Sequence, residues 1–401
     1  MAQRVVLVGA GVMGLSCAVR LADAGYAVDV LAKDLPQETA SARAPGLWLP
    51  PPGARDTDGE DLDPRIRRFA LGTLARLRQL AGTQGTGVRL VRGFLLHAQQ
   101  VPLPRWVEEL GPDTAVEPVT DPAPGYPFGF RLTSPVVDMP VYMEYLRSRL
   151  LEAGGTLTRA ALSGLPRQGL VVNCSGPAAR ALVPDPRIRP ALEQTVVLGG
   201  ADARCWYRDA DRAGSQLRYL VPHGDRTVVG GVVHEGVWRA SVDPADGRRL
   251  AQWAREVEPA LREADVLEHR IDPRPAASRI RVGAEHHVED GDSARGPAGE
   301  PDGDGAPEPQ GGRGEPERFW AHRSPGLLRV HCYGSGDRGL ALSWGCAGEV
   351  LRTLEALAPA PAPDRPGPAR DGPEPVLDRE PAGDPAHREG SRDGAGARLS
   401  P

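Results

Sequence analysis

Two glycine-rich segments of the chain share one pattern of apolar and glycine positions. These are VVLVGAGVMGLSCAVRLADAG (5–25) and RVHCYGSGDRGLALSWGCAGEVL (329–351). Each has a short apolar run, a cluster of glycines and a longer apolar stretch, a pattern that predicts a buried strand, a tight turn and a helix. The alternating segment YAVDVLA follows the first pattern, so residues 1–50 are expected to begin as a βαβ-like unit.

Other segments follow the period of a helix or a strand. Apolar residues at helical spacing predict amphipathic helices over 64–82 and 139–154. Short apolar runs rich in valine predict strands at 169–173, 194–198, 217–221 and 227–232, with a long polar connection between the second and the third.

Two segments lack any such period. Residues 284–317 and 357–401 are dense in Pro, Gly, Asp, Glu and Arg and have almost no large apolar side chain. Such segments cannot bury enough apolar surface to offset the entropy lost on ordering. The sequence therefore predicts a disordered insertion at 284–317 and a disordered tail at 357–401.

Composition narrows the class of protein. A chain of 401 residues can form two domains with a sizeable core. Its net charge of −5 and scattered basic residues argue against a nucleic-acid partner. No apolar run reaches the roughly 18 residues of a membrane span, and the first strand begins by Val5, which leaves no room for a signal peptide. We therefore expect a cytoplasmic protein without a membrane partner.

The cysteines do not suggest a disulfide framework or a metal site. Five cysteines stand at widely separated positions, and no CxxC pair occurs. An odd number without metal-ligand spacing predicts free thiols that pack as small hydrophobic side chains in a reducing compartment.

The first glycine loop is typical of dinucleotide binding. In the run Gly9-Ala10-Gly11-Val12-Met13-Gly14, the first glycine permits the turn, the second lets a pyrophosphate approach and the third lets the helix pack on the strand. The second strand ends at Ala32-Lys33-Asp34, where Asp34 can hold an adenosine ribose hydroxyl. Lys33 also suits the 2′-phosphate of NADP, so the loop by itself leaves both FAD and NADP open.

Five stretches together resemble the D-amino-acid oxidase and D-aspartate oxidase family of FAD flavoproteins. They are VLVGAGVMGLSCA (6–18), ETASARAPGLWLP (38–50), SPVVDMPVYMEYLRSRLLEAGG (134–155), LVVNCSGPAARALVPDP (170–186) and HCYGSGDRGLALSWGCA (331–347). The resemblance runs, with gaps, from about residue 4 to about residue 355.

The resemblance implies an α/β protein in which a Rossmann-like FAD-binding domain is interleaved with a mostly antiparallel-sheet substrate domain. The FAD-binding domain would comprise 1–50, 134–190 and 318–356, and the substrate domain 51–133 and 191–283. The implied reaction is oxidation of a D-amino acid at its α-carbon, with oxygen as the second substrate and hydrogen peroxide, a keto acid and ammonia as products. The sequence leaves a homodimer open.

The resemblance also implies site residues. Arg274 would bind the substrate carboxylate, because a guanidinium is planar, permanently charged and able to bond both oxygens. The Tyr219 hydroxyl would support the same carboxylate. A backbone carbonyl in the turn 336–339 would accept the amine, and Asp337 would lie beside it. The implied FAD-binding residues are Gly9, Ala10, Gly11, Val12, Met13, Gly14, Lys33, Asp34, Ala40, Ser41, Gly46, Leu47, Ala161, Ser175, Gly336, Asp337, Gly339, Leu340 and Ala341.

The chain departs from the family pattern at several of these places. Ser215 stands where many members have a second active-site tyrosine, Asp337 replaces a glycine, and Leu192-Glu193-Gln194 replaces the family's RGQ. No counterpart is found for the arginines that read an acidic side chain, which favours a neutral or basic D-amino acid. A non-catalytic FAD-binding homologue and a related amine or imino-acid oxidase remain alternatives.

Overall fold

The computed structural model describes residues 2–50, 64–110, 114–212, 216–273, 276–277, 280–285 and 327–358. Within these residues the strands are β1 (Arg4–Val8), β2 (Ala27–Ala32), β3 (Val88–His97), β4 (Val116–Ala123), β5 (Tyr126–Val137), β6 (Thr156–Arg159), β7 (Gly169–Asn173), β8 (Ile188–Arg189), β9 (Ala191–Gly199), β10 (Trp206–Asp209), β11 (Tyr219–His223), β12 (Arg226–Glu235), β13 (Asp265–Pro273), β14 (Ala276–Ala277), β15 (Arg281–Glu285) and β16 (Leu327–Tyr333). The α-helices are α1 (Val12–Asp23), α2 (Ala40–Arg43), α3 (Pro64–Leu80), α4 (Met139–Glu152), α5 (Ala179–Leu182), α6 (Pro244–Val257) and α7 (Gly339–Leu357).

A six-stranded sheet contains both glycine-rich segments. Its order is β15-β16-β7-β1-β2-β6, and all neighbours are parallel except β15 and β16. The carboxyl ends of β1, β2, β7 and β16 therefore meet at one edge, which is where ligands bind in open parallel sheets. The strand–turn–helix predictions at both ends of the chain are confirmed.

An eight-stranded sheet forms the second layer. Its order is β13-β9-β12-β11-β10-β3-β5-β4, and all neighbours are antiparallel except β10 and β3. Helix α6 packs on one face through apolar side chains that include Leu250 and Trp253. The predicted α/β fold with a mostly antiparallel second sheet is confirmed.

The structure groups two segments differently from the expected domains. Helix α3, expected in the substrate domain, shares the core of the six-stranded sheet through buried residues such as Phe69 and Leu77. It lies so close to α7 that Thr73 Oγ1 accepts hydrogen bonds from the amides of Trp344 and Gly345, each 3.1 Å long. Strand β15 belongs to the six-stranded sheet and reaches Glu285, inside the range expected to be an insertion. The rest of that insertion, and the tail beyond Ala358, lie outside the described residues.

All five cysteines are free thiols, as predicted. Cys17, Cys174, Cys332 and Cys346 are buried, whereas Cys205 is partly exposed. The sulfur atoms of the first three lie within 4.8 Å of one another, under the edge of the six-stranded sheet. In the described part of the chain, no helix is both long and apolar enough to cross a membrane.

Candidate cofactor and substrate site

A cavity of about 1180 Å³ lies between the two sheets. Its walls come from the carboxyl-end edge of the six-stranded sheet, from the segment 39–50 and from one face of the eight-stranded sheet. Both glycine-rich turns open into this cavity. The volume exceeds the usual range for a small-ligand pocket, about 300–1,000 Å³, so it has room for a cofactor together with a substrate.

The first glycine turn is shaped by close backbone contacts. Gly9 has a φ of +112°, and a Cβ there would overlap the carbonyl oxygen of Cys174. A Cβ on Gly14 would overlap the carbonyl oxygen of Gly9, so the helix sits directly against the strand end. At the start of α1, the Val12 amide donates to Ser41 Oγ over 3.0 Å. This places the positive end of a 12-residue helix at the cavity, where an anionic phosphate is stabilised.

Nearly all of the predicted cofactor residues line the cavity. Gly14 lies behind its wall, under the turn, and the exposed Lys33 and Asp34 follow the end of β2 at the cavity rim. The lining set is Gly9, Ala10, Gly11, Val12, Met13, Lys33, Asp34, Ala40, Ser41, Gly46, Leu47, Ala161, Ser175, Gly336, Asp337, Gly339, Leu340 and Ala341.

Three buried polar atoms on the cavity wall have no hydrogen-bond partner among the described residues. They are Trp48 Nε1, Ser175 Oγ and Thr195 Oγ1. A buried donor or acceptor without a partner is costly and uncommon in native proteins. Polar groups of a ligand in the cavity would satisfy these atoms, and together with the helix terminus they fit a dinucleotide.

Alternate residues of several strands build the floor of the cavity. Side chains two apart on a strand share one face. Accordingly Glu193 and Thr195 of β9, Tyr219 of β11 and Arg208 of β10 all face the cavity. Leu95 and His97 of β3 and Asp272 of β13 extend the same face toward the two sides. The floor is therefore assembled from strands that are far apart in the chain.

The centre of the floor is a hydrogen-bonded pair, Tyr219 and Glu193. The Tyr219 hydroxyl donates to Glu193 Oε1 over 2.8 Å, although β12 lies between their strands. At that point β12 carries Gly230 and Gly231. A Cβ on Gly230 would overlap the Tyr219 ring, and a Cβ on Gly231 would overlap the Glu193 carboxylate. The two glycines leave the space in which the pair forms.

Further charged groups flank this pair. On the β13 side, Arg43 Nε lies 2.6 Å from Asp272 Oδ1, and burial raises the pKa of Asp272 while Arg43 opposes that shift. On the β10 side, Arg208 Nη1 donates to the backbone carbonyl of Asp209 over 3.2 Å. His97 Nδ1 lies 2.7 Å from Asp211 Oδ1 at the far end of the floor. The floor thus carries both signs of charge.

The predicted substrate residues have different outcomes. Tyr219 lies at the floor, and its hydroxyl proton is directed to Glu193 rather than into the cavity. Arg274 and Ser215 lie outside the described residues, although Pro273, the neighbour of Arg274, lines the cavity. Asp337 is exposed within a short 3-10 helix, Gly336–Arg338, at the cavity wall. Glu193 was noted in the sequence only as a departure, because nothing local shows that it meets Tyr219.

Comparison with known proteins agrees with this geometry. A family model described as FAD dependent oxidoreductase matches residues 4–352. The chain belongs to this family. It is 33% identical over 351 residues to a D-amino-acid oxidase of Rubrobacter xylanophilus, covering 86% of this chain and 94% of that one. It is also 31% identical to a D-amino-acid oxidase of Streptomyces coelicolor, covering 87% and 95%.

The fold also resembles that of solved flavoprotein oxidases. A glycine oxidase from Bacillus cereus superimposes with a TM-score of 0.64 at 16% identity, covering 88% of this chain and 95% of that one. Family membership makes this protein an FAD-dependent oxidoreductase of the amino-acid-oxidase type, and FAD is its cofactor. The first glycine loop by itself left both FAD and NADP open. The prediction of FAD is confirmed.

Proposed function

We propose that the protein oxidises a D-amino acid with a neutral or basic side chain to the corresponding imino acid, which hydrolyses to a keto acid and ammonia. Oxygen is the second substrate and hydrogen peroxide the second product. The D-amino-acid oxidases with which the chain shares 31–33% identity over most of its length support this substrate class. The cavity also supports the proposal, because one continuous space can hold both a dinucleotide and a small zwitterion.

The observation that carries the proposal is the continuity of that cavity. Its one end is made by glycine turns and a helix terminus, and its other end by Tyr219, Glu193 and Arg208 on the sheet floor. When bound, FAD supplies the acceptor for the hydride that leaves the α-carbon. The chain supplies the rest, since a cofactor enzyme acts by positioning and charge placement.

Three kinds of protein group at the site would have defined tasks. Arg274, from its family position, would hold the carboxylate through two charge-assisted bonds. A backbone carbonyl of the turn 336–339 would accept a hydrogen bond from the amine and orient its lone pair. Apolar neighbours such as Leu95 and Leu217 would exclude water around the α-carbon.

Peroxide release from the purified yellow protein, measured with matched D- and L-amino acids, tests the proposal. We expect peroxide with neutral or basic D-amino acids and none with their L-enantiomers. Peroxide with glycine or a cyclic imino acid in preference to D-amino acids would select the related amine or imino-acid oxidase. If denaturation releases FAD but none of these compounds is oxidised, the result would select the non-catalytic homologue.

A further inference from the structure

Three cysteine thiols meet behind the first glycine turn. Cys17 comes from α1, Cys174 directly follows β7, and Cys332 lies in β16. Their three sulfur atoms lie within 4.8 Å of one another, and Cys17 Sγ is 4.0 Å from Cys332 Sγ. The sequence does not indicate this group, because its members belong to three elements that only the fold brings together.

The parallel sheet holds these thiols in place. Strands β7 and β16 are paired in register up to Asn173 and His331. The next residue of each segment, Cys174 and Cys332, is therefore beside the other. The Cys174 amide also donates to the Val8 carbonyl at the end of β1, over 2.8 Å. The thiols are thus fixed by the same strands that form the cofactor end of the cavity.

The spacing of the sulfur atoms suits a metal ion bound by three thiolates. A cation such as Zn²⁺ binds thiolate sulfur at about 2.3 Å, so three sulfurs around it in one plane lie about 4.0 Å apart. The sulfurs of Cys17 and Cys332 have this separation. The Cys174 sulfur lies within 4.8 Å of both, a difference that small side-chain rotations can close.

The surroundings favour a soft cation. Thiolate ligands select soft cations such as Zn²⁺ and Cu⁺, whereas Mg²⁺ and Ca²⁺ take oxygen ligands. A bound cation replaces the thiol protons, so the buried thiolates form together with the charge that stabilises them. Hydrogen bonds from the Cys17, Cys174 and Cys346 thiols lower the pKa of Cys332, which assists loss of the first proton.

Cys174 connects the thiols with the cavity. It lines the cavity wall, whereas Cys17 and Cys332 are fully buried beneath it. An ion that enters the cavity therefore meets Cys174 first. Because this wall belongs to the cofactor end, bound FAD can cover the route, and a test must add the metal both before and after FAD.

We propose that Cys17, Cys174 and Cys332 form a binding site for one soft d10 cation, Zn²⁺ or Cu⁺, behind the glycine turn. The inference goes beyond the proposed function and does not rest on it. A cation in this site would join α1 to the ends of β7 and β16, and it would therefore stabilise the cofactor end of the fold.

The test measures the metal content and the Tm of the FAD-loaded protein. The protein is equilibrated with Zn²⁺ or anaerobically with Cu⁺ in a non-chelating reductant, desalted and analysed for metal. We expect one Zn²⁺ or Cu⁺ per chain, no retained Mg²⁺, and a higher Tm, because an ion that binds the folded state stabilises it. Failure to retain Zn²⁺ and Cu⁺, whether added before or after FAD, would overturn the inference.

Alanine variants separate this site from other groups that could bind metal. Cys17→Ala and Cys332→Ala should each lose the retained ion and the metal-dependent rise in Tm. The controls are Cys205→Ala, a partly exposed thiol, and Cys346→Ala, a buried thiol outside the group of three, and both should keep the ion. Equal metal content in Cys17→Ala and the parent, or equal losses in Cys346→Ala and Cys17→Ala, would contradict the assignment.

A second measurement needs no variant, so it remains informative if an alanine variant fails to fold. Cd²⁺ is a soft cation whose bonds to thiolate sulfur absorb in the ultraviolet. Titration of the parent protein with Cd²⁺ should produce this absorption until one ion is bound per chain. Retained Cd²⁺ without the thiolate absorption would place the ion elsewhere and would overturn the inference.

Discussion

The two ends of the cavity are built by different means. At the edge of the six-stranded sheet, the wall consists of backbone and small side chains from continuous segments, such as Gly9 to Val12. At the floor, the wall consists of one or a few side chains from each of β3, β9, β10, β11 and β13, which meet only because of sheet register. A local motif therefore suffices to specify the cofactor end, whereas the substrate end depends on long-range pairing.

This difference implies that the two ends should respond to substitution separately. Damage to the glycine turn should remove flavin and stability together. Damage to a single floor side chain should alter the use of substrate and leave flavin binding intact. The predictions that follow test that separation, beginning with the largest expected effect.

Arg274→Met is expected to have the largest effect on the substrate end. Methionine keeps much of the stem and removes two charge-assisted bonds of about 1.5–3 kcal/mol each. Because each 1.4 kcal/mol is about tenfold, kcat/KM for D-amino acids should fall by roughly two to four decades. Flavin content should stay at the parent level.

The matched control is Arg262→Met, at an exposed position beyond α6. It should keep the activity of the parent. Loss of FAD from Arg274→Met, or equal kcat/KM for parent and variant, would show that this arginine does not act at the substrate end.

Gly14→Ala is expected to have the largest effect on the cofactor end. Its Cβ would overlap the carbonyl oxygen of Gly9, and backbone cannot move aside as a flexible side chain can. Overpacking of this kind costs about 1–3 kcal/mol. The free energy of unfolding, measured with denaturant, and the flavin-to-protein ratio should both fall.

Gly164→Ala is the comparison, because a Cβ there would meet no atom within 4 Å. Its stability and flavin content should match the parent. A stable, fully flavinated Gly14→Ala would contradict the account of the glycine turn.

A buried histidine in each of the two large sheets should make the stability of the protein depend on pH. Burial lowers the pKa of His223, whose Nε2 donates to the Pro45 carbonyl, and of His331 in β16. The folded chain therefore takes up these protons only at a lower pH than the unfolded imidazoles, which take them up below about pH 6.5. The free energy of unfolding should therefore be constant above that pH and fall below it, by at most about 1.4 kcal/mol per pH unit for each histidine.

Replacing each histidine in turn shows which of the two sheets contributes to the pH dependence of stability. His223→Asn and His331→Asn should each flatten the fall measured by denaturant unfolding between neutral and mildly acidic pH. A stability that rises as the pH falls below 6.5 would contradict the assignment.

Excision of residues 288–312 should have the smallest effect. The strands on either side, β15 and β16, are paired in register, with Glu285 opposite Arg329, so their ends already lie side by side. If the connection is disordered, as its composition predicts, a change in its length costs only about 0.6 kcal/mol per doubling. Tm and flavin content should stay close to those of the parent, and a large drop in either would give these residues a structural role.

The sequence predicted the parts of the fold that are specified locally. The strand–turn–helix units, α3, α4 and β7 follow from periodicity and glycine position over a few residues. Strands β3, β4, β5, β10 and β13 were not predicted, since charged residues, Gly129 and Pro135 interrupt their alternation and partner strands supply their stability. Glu193 was missed as a site residue for the same reason, because only the register across Gly230 and Gly231 brings it to Tyr219.

A crystal structure of the FAD-loaded protein tests the central claim, that one cavity holds the cofactor at its glycine end and the substrate at its sheet floor. We expect the pyrophosphate at the amino end of α1 beside Gly11 and Ser41, with the ribose near Asp34. The flavin ring should lie between the glycine turns and the floor, with space for a substrate between the ring and Tyr219. A flavin ring bound elsewhere, or one in direct contact with the floor so that no substrate fits between, would contradict the account.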